Sequence, residues 1–162
     1  MCANAIRFLR SSPPGRAPMT SSPLAFGIVQ PWDCDVMGHF TVRRYAAAFD
    51  DASYQLLWAM SDEPPIAKDA RIGWADVRQV YEYHAEMQPG DLYEITGKPV
   101  RLGTSSVDVE YAMRRRDTGD LVATMASSLV RFDLAARKSA PIEGAIRERI
   151  DAMRNESAAP GA

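Results

Sequence analysis

One stretch of this chain repeats its apolar residues at helical spacing, and segments that alternate apolar and polar residues come after it. From Thr41 to Met60 the residues Val42, Tyr45, Phe49, Ala52, Leu56 and Met60 recur at intervals of three and four, with Ala46, Ser53 and Leu57 beside them. That spacing predicts a long amphipathic helix with a wide apolar stripe. Thr41 suits its N-cap. Ala46, Ala47 and Ala48 favour helix and are small enough to let a sheet approach closely. Arg43, Asp50 and Asp51 are expected to face water or a partner. A chain with one such helix and many alternating segments must lay the helix's apolar face on a sheet.

The alternating segments begin after the loop that carries Pro64 and Pro65. Trp74 to Met87 reads as a long strand, with Val77, Gln79, Tyr81 and Tyr83 on one face and Val80, Glu82, His84 and Glu86 on the other. Gln88-Pro89-Gly90-Asp91 is a turn. Leu92 to Val100 is a strand whose end Pro99 makes an edge or a bulge. Ser105 to Arg116 sets Val107, Val109, Tyr111 and Met113 against Ser106, Asp108, Glu110 and Arg114. Asp117-Thr118-Gly119-Asp120 turns the chain, and Leu121 to Phe132 closes the sheet. Before the helix, Leu24 to Trp32 is apolar on both alternating sets and reads as a buried strand ended by Pro31. Pro141 to Met153 is a short helix with Ile142, Ala145, Ile146 and Ile150 on one side. Turn-linked strands are antiparallel neighbours. The expectation is an α+β domain, a curved antiparallel sheet wrapped around one long central helix. It spans residues 24–135, between an N-terminal arm (1–23) and a short C-terminal helix and tail (136–162).

The arm contains Pro13, Pro14, Pro18 and Pro23, and its arginines are followed by no apolar core of a secretory signal. It reads as disordered. The absence of acidic residues before Asp33 leaves a transit-like extension as the alternative, and a start at Met19 would remove most of it. At 46% hydrophobic and 25% charged the whole chain is globular in composition. A formal net charge of −2 argues against general nucleic-acid binding, which leaves a basic footprint. No apolar run approaches the roughly 18 residues of a membrane span. With two cysteines, Cys2 and Cys34, a disulfide framework is implausible and a reducing cytoplasm is expected. Cys34, flanked by carboxylates that disfavour its thiolate, is a poor nucleophile.

Chemistry concentrates just before the helix, in Asp33-Cys34-Asp35-Val36-Met37-Gly38-His39-Phe40. The unpaired amides of the helix N-terminus point back at this loop, a place to polarise a carbonyl or hold an anion. Hydrolysis at a carbonyl needs an activated water or an attacking carboxylate, together with donors on the developing oxyanion. Asp35 is suited to the first task, and amides near Thr41 and Val42 to the second. Gly38 permits close backbone approach to a ligand. The bland alternative is that Asp33 and Asp35 cap or brace the loop. His39 orients substrate or water, or holds the loop. The spacing of Asp33, Asp35 and His39 matches no standard metal site, and no glycine-rich phosphate loop is present. No cofactor is expected.

The element order, with Asp35-x-x-Gly38-His39 followed by Tyr45, resembles the hotdog-fold acyl-CoA thioesterases, and most nearly their 4-hydroxybenzoyl-CoA thioesterase branch. Gln88-Pro89-Gly90-Asp91 resembles that family's Gly-Asp turn. Leu102-Gly103-Thr104-Ser105-Ser106 resembles its Gly-x-Ser-Ser approach to the next strand. The likeness runs from about Phe26 to Asp133. It implies that Asp35 is general base or nucleophile, with catalysis favoured for Asp35 and not Asp33. It implies that Gly38, Thr41, Val42 and Tyr45 contact substrate, and that Lys98 and Arg101 lie where CoA phosphates dock. Glu86 resembles a strand-two acidic residue of some relatives, a second site carboxylate or else a simply exposed strand residue, and Arg114-Arg115-Arg116 reads as a solvated strand end. It also implies a homodimer or homotetramer with a site shared between subunits. Where many relatives carry asparagines this chain has Thr41 and Val42, a variant similar to a subgroup associated with betainyl-CoA thioesterases. A non-catalytic module that binds acyl thioesters is the alternative function.

Overall fold

The structure, a computed structural model, describes residues 22–63 and 70–158. The arm up to Ser21, with Cys2, and the Pro64-Pro65 loop lie outside the described residues. In chain order the elements are strand β1 (Ala25–Ile28), helix α1 (Val42–Ser61), strands β2 (Ile72–Tyr83), β3 (Leu92–Leu102), β4 (Ser106–Arg115), β5 (Leu121–Asp133) and β6 (Lys138–Ser139), and helix α2 (Gly144–Ala158). The sheet runs β1-β3-β4-β5-β2, every pair antiparallel, with β6 added beside β5.

α1 lies where the helical spacing places it. Tyr45, Ala48, Phe49, Ala52, Ser53, Leu56, Leu57 and Met60 turn their sides to the core, and Arg43, Asp50 and Asp51 face out. The buried hydroxyls are satisfied within the helix: Ser53 Oγ donates to Asp50 O (2.8 Å) and Ser61 Oγ to Leu57 O (2.7 Å). Asp62, in the left-handed region at φ 58°, ends the helix as its N–H donates to Trp58 O. β4 alternates as its sequence requires, with Val107, Val109, Tyr111 and Met113 all buried against α1 and its neighbours. Pro99 sits beside the expected irregularity, between Pro99 and Arg101. It lies beyond the part of β3 that pairs with β1, so its missing N–H breaks no bond on that side.

Three expectations change. Leu24 to Trp32 is a four-residue edge strand followed by a 3-10 turn over Pro31–Asp33. Among the described residues β1 pairs with β3 alone, and only one of its alternating sets is covered; Phe26 and Ile28 are exposed. β2 stops at Tyr83 instead of running to Met87. The amides of His84 and Ala85 both donate to Val122 O, and the chain then leaves the sheet. Finally, β2 and β3 are sequential but not neighbours. Gln88–Asp91 pairs with the end of β1, through Gly90 N to Val29 O and Val29 N to Asp91 O (both 2.9 Å), while β2 pairs with β5 at the far edge. Within β2 an irregularity between Asp76 and Arg78 leaves Val77 exposed. After it Gln79, Tyr81 and Tyr83 lie opposite Ser127, Met125 and Ala123 and share their core-side face.

α2 begins at Gly144, three residues later than expected, and runs on to Ala158. Ile142 and Ile150 are buried in the same core as α1, whereas Ala145 is exposed. Ile142 N donates to Thr104 O and Arg147 donates to Gly103 O, which ties α2 to the β3–β4 turn.

Candidate active site

The loop between β1 and α1 folds back on itself. Cys34 and Phe40 form an isolated antiparallel bridge, and Asp35 N donates to His39 O at 2.8 Å. Gly38 turns the tip: its φ of +83° lies in the left-handed region, its N–H donates to Asp35 O, and the space where a Cβ would sit is open. Glycine is therefore required here by conformation. Phe40 is buried and anchors the loop, its amide donating to Met87 O at 2.9 Å and its ring meeting Tyr45 edge-on at 4.6 Å.

Within this frame Asp35 is exposed, and its Oδ1 accepts from the amides of Met37 (2.8 Å) and His39 (3.2 Å). The His39 amide, more than any other neighbour, holds the carboxyl below its ordinary value against partial desolvation; the Met37 amide and the His39 ring assist. Both hydrogen bonds fall on Oδ1, which leaves Oδ2 for a proton or an acyl carbon. Asp33 is placed differently. Its Oδ1 lies 2.8 Å from Arg44 Nε on the first turn of α1, its Oδ2 accepts from Gln30 N, and its carbonyl accepts the Thr41 amide. Asp33 thus ties the 3-10 turn to the helix start. Burial, and after it the Asp33 and Asp35 charges, push the Cys34 thiol up, away from thiolate chemistry.

Thr41 occupies the N-cap with extended φ and ψ, but its side chain makes no cap bond. Its own amide is committed to Asp33 O, so among the expected donors it is the first helical turn, beginning with Val42, that is left uncapped. Val42 itself is exposed. Tyr45 is buried one turn in, ringed by Phe40 and Tyr83. Burial and then Tyr83 push its phenol up to about 12, so it carries its proton at neutral pH. Arg115, Asp91 and Glu86 are the other charged groups it faces.

Arg101 is not brought to this loop. It lies at the opposite end of β3 from Leu92, about 30 Å along the strand, where it bonds Asp108 across the sheet at 2.6 Å. Nearer the loop, a shallow depression is lined by Arg43, Arg44 and Ala47. Two further residues have clear contacts here that local spacing does not supply, and of the two the resemblance points only to Glu86. Glu86 sits in the β2–β3 loop, not on a strand, with its Oε2 3.3 Å from His39 Nε2. Arg115, which reads in sequence as a solvated strand end, donates to Glu86 O (2.6 Å) and lies 3.4 Å from Asp91 Oδ2. These contacts join segments 24 to 47 positions apart, so no sequence window contains them. Among the described residues no three His, Cys, Asp or Glu side chains converge on a metal-sized point, and no helix is long and apolar enough to cross a membrane.

The backbone finds close counterparts among solved structures. A hypothetical protein from Staphylococcus aureus, solved in complex with CoA, superposes with a TM-score of 0.73 at 14% identity over 87% of this chain and 89% of that one. A thioesterase-superfamily protein from Jannaschia gives 0.70 at 20% identity over 80% and 81%. A gentisyl-coenzyme A thioesterase, BH1999, gives 0.66 at 20% identity over 78% and 98%. At these identities the likeness establishes the fold, a hotdog, with its sheet curled around α1. No curated protein sequence matches this one. The sequence profile of the thioesterase-like superfamily matches residues 29–150, which take in the Asp35 loop, all of α1 and the sheet from β2 to β6. With a match across well over half of its length, and on this fold, the chain belongs to the thioesterase-like superfamily.

Proposed function

We propose that this chain is an acyl-CoA thioesterase of the 4-hydroxybenzoyl-CoA thioesterase-like branch, hydrolysing a thioester to a free carboxylic acid and CoA in the cytoplasm. The observation that carries this reading is the exposed Asp35 carboxylate, bonded through one oxygen on the loop that leads into the uncapped first turn of α1. Asp35 Oδ2 takes a proton from water, whose oxygen attacks the thioester carbon. The first-turn amides, Val42 among them, receive the oxyanion. Collapse expels the CoA thiolate, which leaves with the proton from Asp35. The carboxylate's low pKa keeps it ionised at neutral pH and equally suits direct attack on the carbonyl, through an anhydride that water then opens. Tyr45 donates from beneath the loop and Gly38 shapes its tip. CoA is favoured as the thiol because one structural counterpart was solved with CoA and another is a gentisyl-coenzyme A thioesterase. Arg43, and Arg101 contributed by a neighbouring subunit, supply cations for its phosphates.

The active unit in this reading is a homodimer or dimer of dimers. β2 is a 12-residue strand that among the described residues pairs with β5 alone, its other edge lying open to them, with Val77 and Val80 exposed. A second reading, a non-catalytic module that binds acyl thioesters, draws on the bracing role of Asp35 Oδ1. Asp35→Asn separates the two. Thiol release from a panel of acyl-CoAs should fall about 10²- to 10⁴-fold while the variant stays folded and ligand binding stays near wild type. A folded variant with wild-type turnover would remove Asp35 from the chemistry.

A further inference from the structure

One carboxylate reaches the site loop from a different segment. Glu86 Oε2 lies 3.3 Å from His39 Nε2. The Glu86 side chain is 73% exposed, and an unanchored contact of that kind contributes little. Its backbone, however, is held on both sides. Arg115 donates to Glu86 O at 2.6 Å and lies 3.4 Å from Asp91 Oδ2, which in turn accepts the Gln88 amide at 2.9 Å. The next residue, Met87, is fully buried, and its carbonyl accepts the amide of Phe40, the residue after His39. Glu86 and His39 therefore flank a single backbone bond between their segments, and their side chains meet across it.

We infer that Glu86 is a positioning residue that holds His39 as its Nε2–H tautomer. A carboxylate only accepts, so the ring nitrogen facing it carries hydrogen, and in the neutral ring Nδ1 is then an acceptor. The charged groups that face His39 are Asp35, on its own loop, and Glu86; Arg115 holds Glu86 from β4. Asp35 Oδ1 accepts the His39 amide at 3.2 Å, so the two acceptors are carried by one rigid loop. In this tautomer Nδ1 is available to accept a hydrogen from a water bound at this loop. In the thioesterase reading, on which the kinetic half of this inference rests, that water is the one Asp35 activates.

The test compares full-length wild type, Glu86→Gln and Glu86→Ala. The chain has two histidines, so the ring-nitrogen resonances of His39 are assigned by ¹⁵N NMR against a His84→Gln variant. Glutamine keeps an accepting oxygen at this position, and alanine has none. Wild type and Glu86→Gln should show the Nε2–H tautomer, and Glu86→Ala a mixture with the Nδ1–H form. On an acyl-CoA, Glu86→Ala should lose about tenfold in kcat, less than removal of a whole acid–base group, with KM changed less than about twofold and melting temperature unchanged. Glu86→Gln should recover most of that loss. An unchanged tautomer ratio in Glu86→Ala, or a Glu86→Gln enzyme as slow as Glu86→Ala, overturns the inference. If wild type hydrolyses no acyl-CoA, the proposed reaction fails, and the tautomer comparison still decides the role of Glu86.

Discussion

Asp35 meets the amides of Met37 and His39 through one oxygen, and those bonds govern its response to pH. Backbone donors stabilise the ionised form, so the folded pKa lies below the ordinary Asp value. A depressed pKa contributes stability that is present above the unfolded pKa, about 3.9 for Asp, and is lost as pH falls through the folded one. Asparagine can accept the same two bonds but carries no charge. Wild type should therefore melt above Asp35→Asn at neutral pH, and the gap should close as pH drops below about 4. Thermal melts of both proteins across that window check this; a gap that widens toward acid would contradict it. Asp33→Asn should behave differently. It weakens the contact to Arg44 and so the joint between the 3-10 turn and α1, with at most a modest fall in turnover and no dependence on a bound substrate.

At the scale of elements, the spacing between α1 and the sheet is set by small buried residues. Ala52 is wholly buried at the middle of the apolar stripe, between Phe49 and Leu56, which are wholly buried too. A larger side chain at this wholly buried position must push the helix off its neighbours or force poor rotamers. Ala52→Leu should destabilise by about 1–3 kcal/mol, read as a lower urea midpoint with an unchanged slope. Phe49→Ala should cost about 3–5 kcal/mol, because the ring also contacts Tyr81 and Tyr111. The contrasting element is β1. Its outward residues Phe26 and Ile28 are already exposed, and Arg116 lies over the Phe26 ring at 4.8 Å. Substitutions there should cost far less than at Phe49.

For the whole molecule the open edge of β2 is the feature that asks for a partner. Its sheet neighbour β5 satisfies one side only, and natural proteins seldom leave so long an edge bare. A C2 pairing of this edge with a second copy would extend the sheet and bring the core-side aromatics Tyr81 and Tyr83 toward the subunit boundary. Sedimentation velocity should show wild type as a dimer or tetramer at micromolar concentration, and Val77→Lys, which places a charge on that edge, should shift it toward monomer. A wild-type monomer would remove both the shared site and any role for Arg101 in it.

The periodic elements were legible before any coordinates. The three-and-four spacing from Val42 to Met60 defines α1, and the alternation from Val107 to Met113 defines β4, because burial on one face leaves its period in the sequence. The turns at Gln88–Asp91 and Asp117–Asp120 were legible for the same local reason, since each needs a glycine at positive φ. Local chemistry also singled out the Asp35 loop. What tertiary structure decided was everything that depends on separation along the chain. It separated β2 from β3 and paired β2 with β5, put β1 at the edge of the sheet with one face exposed, and bent the chain out of the sheet at His84. It set Glu86 against His39 and Arg115 against Glu86, and left Arg101 a strand's length away. Periodicity records whether a residue is buried and carries no information on which distant residue buries it; that choice is made when the whole sheet closes over α1.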